Sequence, residues 1–136
     1  MTTHAQGAFD VTMIPQAPAD TDDTDDSSPV GRLSIDKQYH GDLDATNTGQ
    51  MLAVGTDVDG SAGYVAMEGV TGTLHGHSGT FALQHCGTMT RGAPHLTVTV
   101  VPDSGAGQLV GLVGDMVIDI VDGKHTYDLA HTLPAS

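Results

Sequence analysis

The stretch GYVAMEGVTGTLHGHSGTFALQHCGTMTRGAPHLTVTVV, residues 63–101, carries the pattern that decides the fold. Short runs rich in Val, Thr, Leu and Phe alternate with glycine-containing turns such as His75-Gly76-His77-Ser78-Gly79 and Arg91-Gly92-Ala93-Pro94. A strand sends successive side chains to opposite faces, so each run can be sorted into two parities. Ionisable residues sit inside the apolar runs, Glu68 in the first and His85 in the second. A charge in an apolar register is costly unless it is paired or has a use.

The same alternation extends outward in both directions. Upstream, Gly7–Met13 places Phe9, Val11 and Met13 on one face, and Arg32–His40 sets Leu33, Ile35, Lys37 and Tyr39 against Ser34, Asp36, Gln38 and His40. The run Asp42–Val54 keeps Leu43, Ala45, Met51 and Ala53 on one parity. Within the opening stretch the expected strands are Gly63–Leu74, Thr80–Thr90 and His95–Val101. Downstream, Gln108–Val121 reads as a strand bent near Gly111 or Gly114, and Asp122-Gly123 as a two-residue hairpin turn into Lys124–Leu133. No long apolar run has helical spacing. About eight short strands with polar turns predict an all-β, closed antiparallel barrel with room for side chains or one small ligand. A single domain over 1–136 is expected, with a flexible acidic loop at 16–30 that contains the block ADTDDTDD, residues 19–26.

Composition narrows the function classes. The chain has 136 residues, 18 of them glycine, no tryptophan, two Phe and three Tyr. Its net charge of −13 comes from 17 acidic and 4 basic residues. Arg32, Lys37, Arg91 and Lys124 are too few and too scattered to neutralise a phosphate backbone or an anionic bilayer, so neither nucleic acid nor a membrane is an expected partner. The single cysteine, Cys86, allows no intrachain disulfide and reads as a free, buried thiol. The N-terminus MTTHAQGAFDV has no secretory signal pattern, and no apolar run reaches the ~20 residues of a membrane span. A cytoplasmic protein is expected.

The stretch GSAGYVAMEGVTGTLHGHSGTFALQHCGTMTRGAPHLTVTVVPDSGAGQLVGLVGDM, residues 60–116, resembles the bacterial domain-of-unknown-function family 3224. So do DGKHTYDL, residues 122–129, and DKQYHGDLDATNTGQML, residues 36–52. The resemblance covers nearly the whole chain outside the acidic loop. It implies an allene oxide cyclase-like barrel, often oligomeric. It implies no activity, and the site motif of plant allene oxide cyclases is not found in these residues.

With the bulky parity of each strand taken as inward, the interior gathers an ionisable set. Glu68, His85 and Lys37 are the candidate catalytic residues, and Tyr39, Tyr64, His125 and Tyr127 the candidate substrate-binding ones. Lys37 on an apolar parity calls for a carboxylate, with Glu68 as first candidate and Asp119 as second. The fourth strand is ambiguous, because Val65 and Met67 make its other face apolar too, as packing on another subunit would require. Histidines near neutral pH can move protons, and tyrosines can donate to a carbonyl or epoxide oxygen. No zinc-type Cys/His spacing is present, and Asp57-x-Asp59-Gly60 lacks the distal glutamate of a calcium loop, so no metal and no cofactor are expected. Two readings follow. One is a barrel that binds an apolar or carbonyl- or epoxide-bearing small molecule, as a cofactor-independent cyclase or isomerase. The other is a non-catalytic homo-oligomer with a side-chain-filled interior.

Overall fold

The computed structural model describes residues 2–16 and 30–134. The expected acidic block at 19–26 therefore lies outside the described residues. The strands are β1 Thr3–Gln16, β2 Val30–Gly41, β3 Leu43–Gly55, β4 Ala62–Leu74, β5 His77–Thr90, β6 Ala93–Val100, β7 Ala106–Gly107, β8 Val113–Val121 and β9 Lys124–Thr132. Among the described residues there is no helix, and so none long and apolar enough to cross a membrane.

Eight of these strands form a closed antiparallel barrel. Each strand from β1 to β5 pairs with the next; β6 then pairs with β8, β8 with β9, and β9 returns to β1. The two-residue β7 adds to the edge of β5 through Gly79–Gly107 and Thr80–Ala106. Three tight hairpins set the register. His75-Gly76, Arg91-Gly92 and Asp122-Gly123 each place two successive residues at positive φ. That geometry matches the right-handed twist of the strands they join.

The interior is packed at one end only. Tyr39, Leu43, Leu74, Leu83 and Leu129 are fully buried there. The segment after β6 crosses that end, and its Leu109 and Leu112 plug it with no exposed surface. This corrects one expectation: the strand read over Gln108–Val121 starts only at Val113, because residues 108–112 turn to insert those two leucines. The Tyr127 hydroxyl ties the same end together. It donates to the His40 carbonyl at 2.8 Å, with the Leu43 carbonyl at 3.1 Å, and accepts from the Leu43 N–H at 2.9 Å.

Two seams loosen toward the other end. The only register pair between β6 and β8 is Thr99–Asp115, supported by the Thr99 hydroxyl on the Asp115 carboxylate at 3.1 Å. The β1–β9 ladder stops at Phe9–His125. Inward residues beyond these points are left uncovered, as Ile120 at 61% exposure shows.

The packed end carries the stability of the domain. Leu129→Ala at its centre is expected to lower unfolding free energy by about 2–5 kcal/mol. Urea denaturation measures this, and a loss under 1 kcal/mol would contradict a closely packed plug.

Candidate functional site

At the waist of the barrel, where packing stops, three ionisable side chains meet. Their placement follows from parity and register. Tyr64, Ala66, Glu68 and Val70 are the inward residues of β4, while Val65 and Met67, 50% and 52% exposed, point outward. Glu68 is opposite Gly49 on β3, and Ala66 is opposite His85 on β5. Lys37 on β2 is opposite Asn47 on β3. Gly49 makes the arrangement fit: a Cβ there would run into the Met67 carbonyl and lie 2.9 Å from Glu68 Cγ.

Glu68 is 2% exposed. Its Oε1 accepts from His85 Nε2 at 2.8 Å and from Lys37 Nζ at 3.2 Å. Lys37 Nζ is also 3.0 Å from Oε2, but without hydrogen-bond geometry, so Oε2 feels the charge and has no donor among the described residues. Lys37 additionally stands 5.1 Å from the centroid of the Phe9 ring, within cation–π range. Burial pushes the Glu68 carboxyl up. The His85 hydrogen bond and the Lys37 charge pull it down by more, and the net direction is below the usual carboxylate range. Glu68 is thus anionic near neutrality.

An anionic carboxylate can only accept, so His85 must carry its proton on Nε2. In the neutral imidazole that tautomer leaves Nδ1 with a lone pair, and Nδ1 has no hydrogen-bond partner among the described residues. The unit is a Glu–His dyad with a lysine holding the carboxylate charged.

Above the dyad the barrel opens into a cavity of about 200 Å³. Lys37, Glu68 and His85 form its polar floor; Phe9, Val11, Ile35, Met51 and Ile118 line its walls. A wider hollow of about 510 Å³ adjoins it toward the mouth, sharing Met51, Tyr64, Leu96 and Ile120.

Of the seven residues singled out by sequence, Lys37, Glu68, His85, Tyr64 and His125 line this cavity. Tyr64 packs over Gly87, where any Cβ would collide with its ring, and its ring centroid is 6.5 Å from that of His85. Burial, then the Glu68 charge, raises the Tyr64 hydroxyl, which stays protonated as a donor. His125 leans on Phe9 at 5.2 Å between centroids. Tyr39 and Tyr127 lie instead in the packed half, ring to ring at 5.3 Å. Lys37 pairs with Glu68, the first of the two candidate partners. Cys86 is exposed on the outer face of β5 rather than buried, because strand alternation turns it away from His85 and the packed core. His75 stacks on His131 at the packed end, and no group of three or more His, Cys, Asp or Glu among the described residues could hold a metal.

Two buried polar residues, Asn47 and His131, are not among those singled out by sequence. Asn47 is 1% exposed, beside Lys37. Its parity, shared with Leu43, Ala45 and Met51, was the available signal.

The model of the family described as "Protein of unknown function (DUF3224)" matches residues 5–131. No curated protein matches the chain. A solved structure of a protein with unknown function from the DUF3224 family of Shewanella oneidensis MR-1 superposes with a TM-score of 0.89 at 43% identity, covering 100% of both chains.

The depressed Glu68 carboxyl gives a pH signature. A glutamate that ionises at lower pH when folded contributes stability that is complete above the unfolded value, near about 4.3. The contribution drains away as pH falls through the folded value. Glu68→Gln leaves Lys37 buried without its counter-charge and is expected to cost about 3–5 kcal/mol at neutral pH. The gap between wild type and variant should narrow as pH drops from neutrality toward 3. Urea titrations at several pH values test it; a gap that stays constant would mean that Glu68 is not held in its charged form by folding.

Proposed function

The chain belongs to the DUF3224 family, and we propose that it is a small-molecule-binding barrel acting as a cofactor-independent isomerase or cyclase. The ligand is an apolar molecule bearing one carbonyl or epoxide oxygen. The observation that carries this reading is His85: one ring nitrogen bound to a buried carboxylate, the other unpartnered, on the floor of an apolar cavity. A base oriented by a third group is the arrangement proton-transfer sites use.

In this mechanism His85 Nδ1 takes a proton from a ligand carbon. The imidazolium that forms is stabilised by Glu68 through Nε2–H. The substrate oxygen, which gains negative charge, is polarised by Lys37 or by the Tyr64 hydroxyl. Return of the proton to a different atom completes an isomerisation. No electron leaves the substrate, so no redox cofactor is needed. The alternative of a side-chain-filled, non-catalytic barrel describes only the packed half, where Tyr39, Tyr127, Leu109 and Leu112 occupy the interior.

The reading includes self-association in a cytoplasmic setting. The exposed apolar Leu52, Val65 and Met67 on the outer face of β3 and β4 support the first part, and an unpaired Cys86 is compatible with a reducing compartment. Analytical ultracentrifugation should show more than a monomer at micromolar concentration, and Val65→Lys should shift it toward monomer. A monomer throughout would remove this part.

A thermal-shift screen of small lipids, cyclic ketones and epoxides tests the binding reading. Some members should raise the melting temperature of the wild type, and Met51→Trp, which fills the cavity, should abolish the effect. For a stabilising ketone, proton exchange in D₂O should be accelerated by wild type and slowed about 10²–10⁴-fold by His85→Gln. No stabilisation by any compound would sink the reading.

A further inference from the structure

Beside the dyad lies a second group of buried polar atoms without hydrogen-bond partners among the described residues; of their three residues only Glu68 lines the cavity, and its Oε2 has the Lys37 charge 3.0 Å away. Tyr39 Oη, Asn47 Nδ2, Asn47 Oδ1 and Glu68 Oε2 are all buried and have no hydrogen-bond partner among the described residues. Buried polar atoms in folded proteins are almost always paired, and leaving one orphaned is expensive.

The four atoms belong to one neighbourhood. Asn47 is opposite Lys37, the residue bonded to Glu68, and Tyr39 is two positions along the same face of β2, opposite Ala45. Gly49, next inward on β3 after Asn47, is the residue opposite Glu68. Burial, and then the Glu68 charge, raises the Tyr39 hydroxyl. Its oxygen is therefore a permanent O–H donor.

Donors and acceptors balance in this group. The Tyr39 hydroxyl and the Asn47 amide N–H donate; the Asn47 carbonyl and Glu68 Oε2 accept. No two of them bond one another in the structure. Water is the ligand whose two donors and two acceptors match such a set, and buried waters typically make about three hydrogen bonds. An anion is opposed by the adjacent carboxylate, and an apolar molecule would satisfy none of the four atoms.

We infer that Tyr39, Asn47 and Glu68 Oε2 form a buried hydration site in which ordered water donates to the second oxygen of Glu68. Asn47 and Tyr39 are then positioning residues: through the water they fix the carboxylate that orients His85. The inference stands on the burial and pairing of these atoms and does not depend on the proposed reaction.

The sign of the stability change separates a hydrated site from a set of orphans. Tyr39→Phe deletes one oxygen and no carbon. Asn47→Leu replaces the amide by an apolar group of similar volume. If water bridges these groups, each variant lowers the urea midpoint, and the double variant loses less than the sum of the two. Removing an orphan instead raises the midpoint. The second readout is the titration of the Glu68 carboxyl by ¹³C NMR. Loss of a donor to the charged form should move it upward in both variants, which simple loss of packing would not do. If Asn47→Leu does not fold, Tyr39→Phe decides alone. A raised midpoint in Tyr39→Phe, or an unmoved Glu68 titration, overturns the inference.

Discussion

The buried carboxylate of Glu68 is the constraint around which this barrel is organised. A lone ionised carboxylate in an apolar interior would sooner take up a proton than stay charged. It stays charged here because Lys37 and His85 reach it from β2 and β5, on either side of its own strand pair β3–β4. Four adjacent strands are thereby held in one register, since a one-residue slip would turn Glu68 outward and Lys37 toward nothing. The cluster need not stabilise the fold relative to apolar residues of the same size. What it adds is specificity of register, at the height where the packed half of the barrel gives way to the open half.

That division explains how a chain with few aromatic residues supports both a core and a cavity. The leucines of the packed end, with Tyr39 and Tyr127, bury their surface completely, and the turn after β6 seals them in. The open end has apolar walls as well, but its strands separate where the β6–β8 and β1–β9 ladders stop. Mutations there should cost less stability than mutations at the packed end. A domain with stability concentrated at one end can keep strained or underpacked groups at the other.

Much of this was legible in the sequence because strand parity is a strict rule. Alternation placed Lys37, Tyr39, His85, His125 and Tyr127 inward, and the barrel follows from the spacing of Gly-containing turns, three of which adopt the positive φ that two-residue hairpins require. The same rule left Glu68 uncertain, because Val65 and Met67 made both faces of β4 apolar; register with Gly49 and Ala66's pairing to His85 resolve it. What parity cannot carry is distance along the barrel. Tyr39 and Tyr127 share the inward side with Tyr64, yet lie in the packed half, because height depends on the stagger between strands rather than on alternation within one. The plug at Leu109 and Leu112 escaped for a related reason: glycines at 105, 107 and 111 permit a turn as readily as a bent strand. Cys86 was read as buried from residue type alone, where its own alternation against His85 pointed outward.

Asn47 shows how a buried polar residue can be hidden by its neighbours. It stands among Leu43, Ala45, Gly49 and Met51, and small or apolar companions dilute its signal in any pattern of hydrophobicity. In the folded barrel it becomes prominent, because a side chain with two polar ends has no hydrogen-bond partner at either among the described residues. The same is true of the Tyr39 hydroxyl, in a half of the barrel filled largely by aliphatic and aromatic side chains. An apolar residue at either place would close the core at no electrostatic cost. Retaining polar atoms beside a charged carboxylate makes physical sense if they tune that carboxylate, and Glu68 Oε2 is its one oxygen without a hydrogen-bond donor among the described residues.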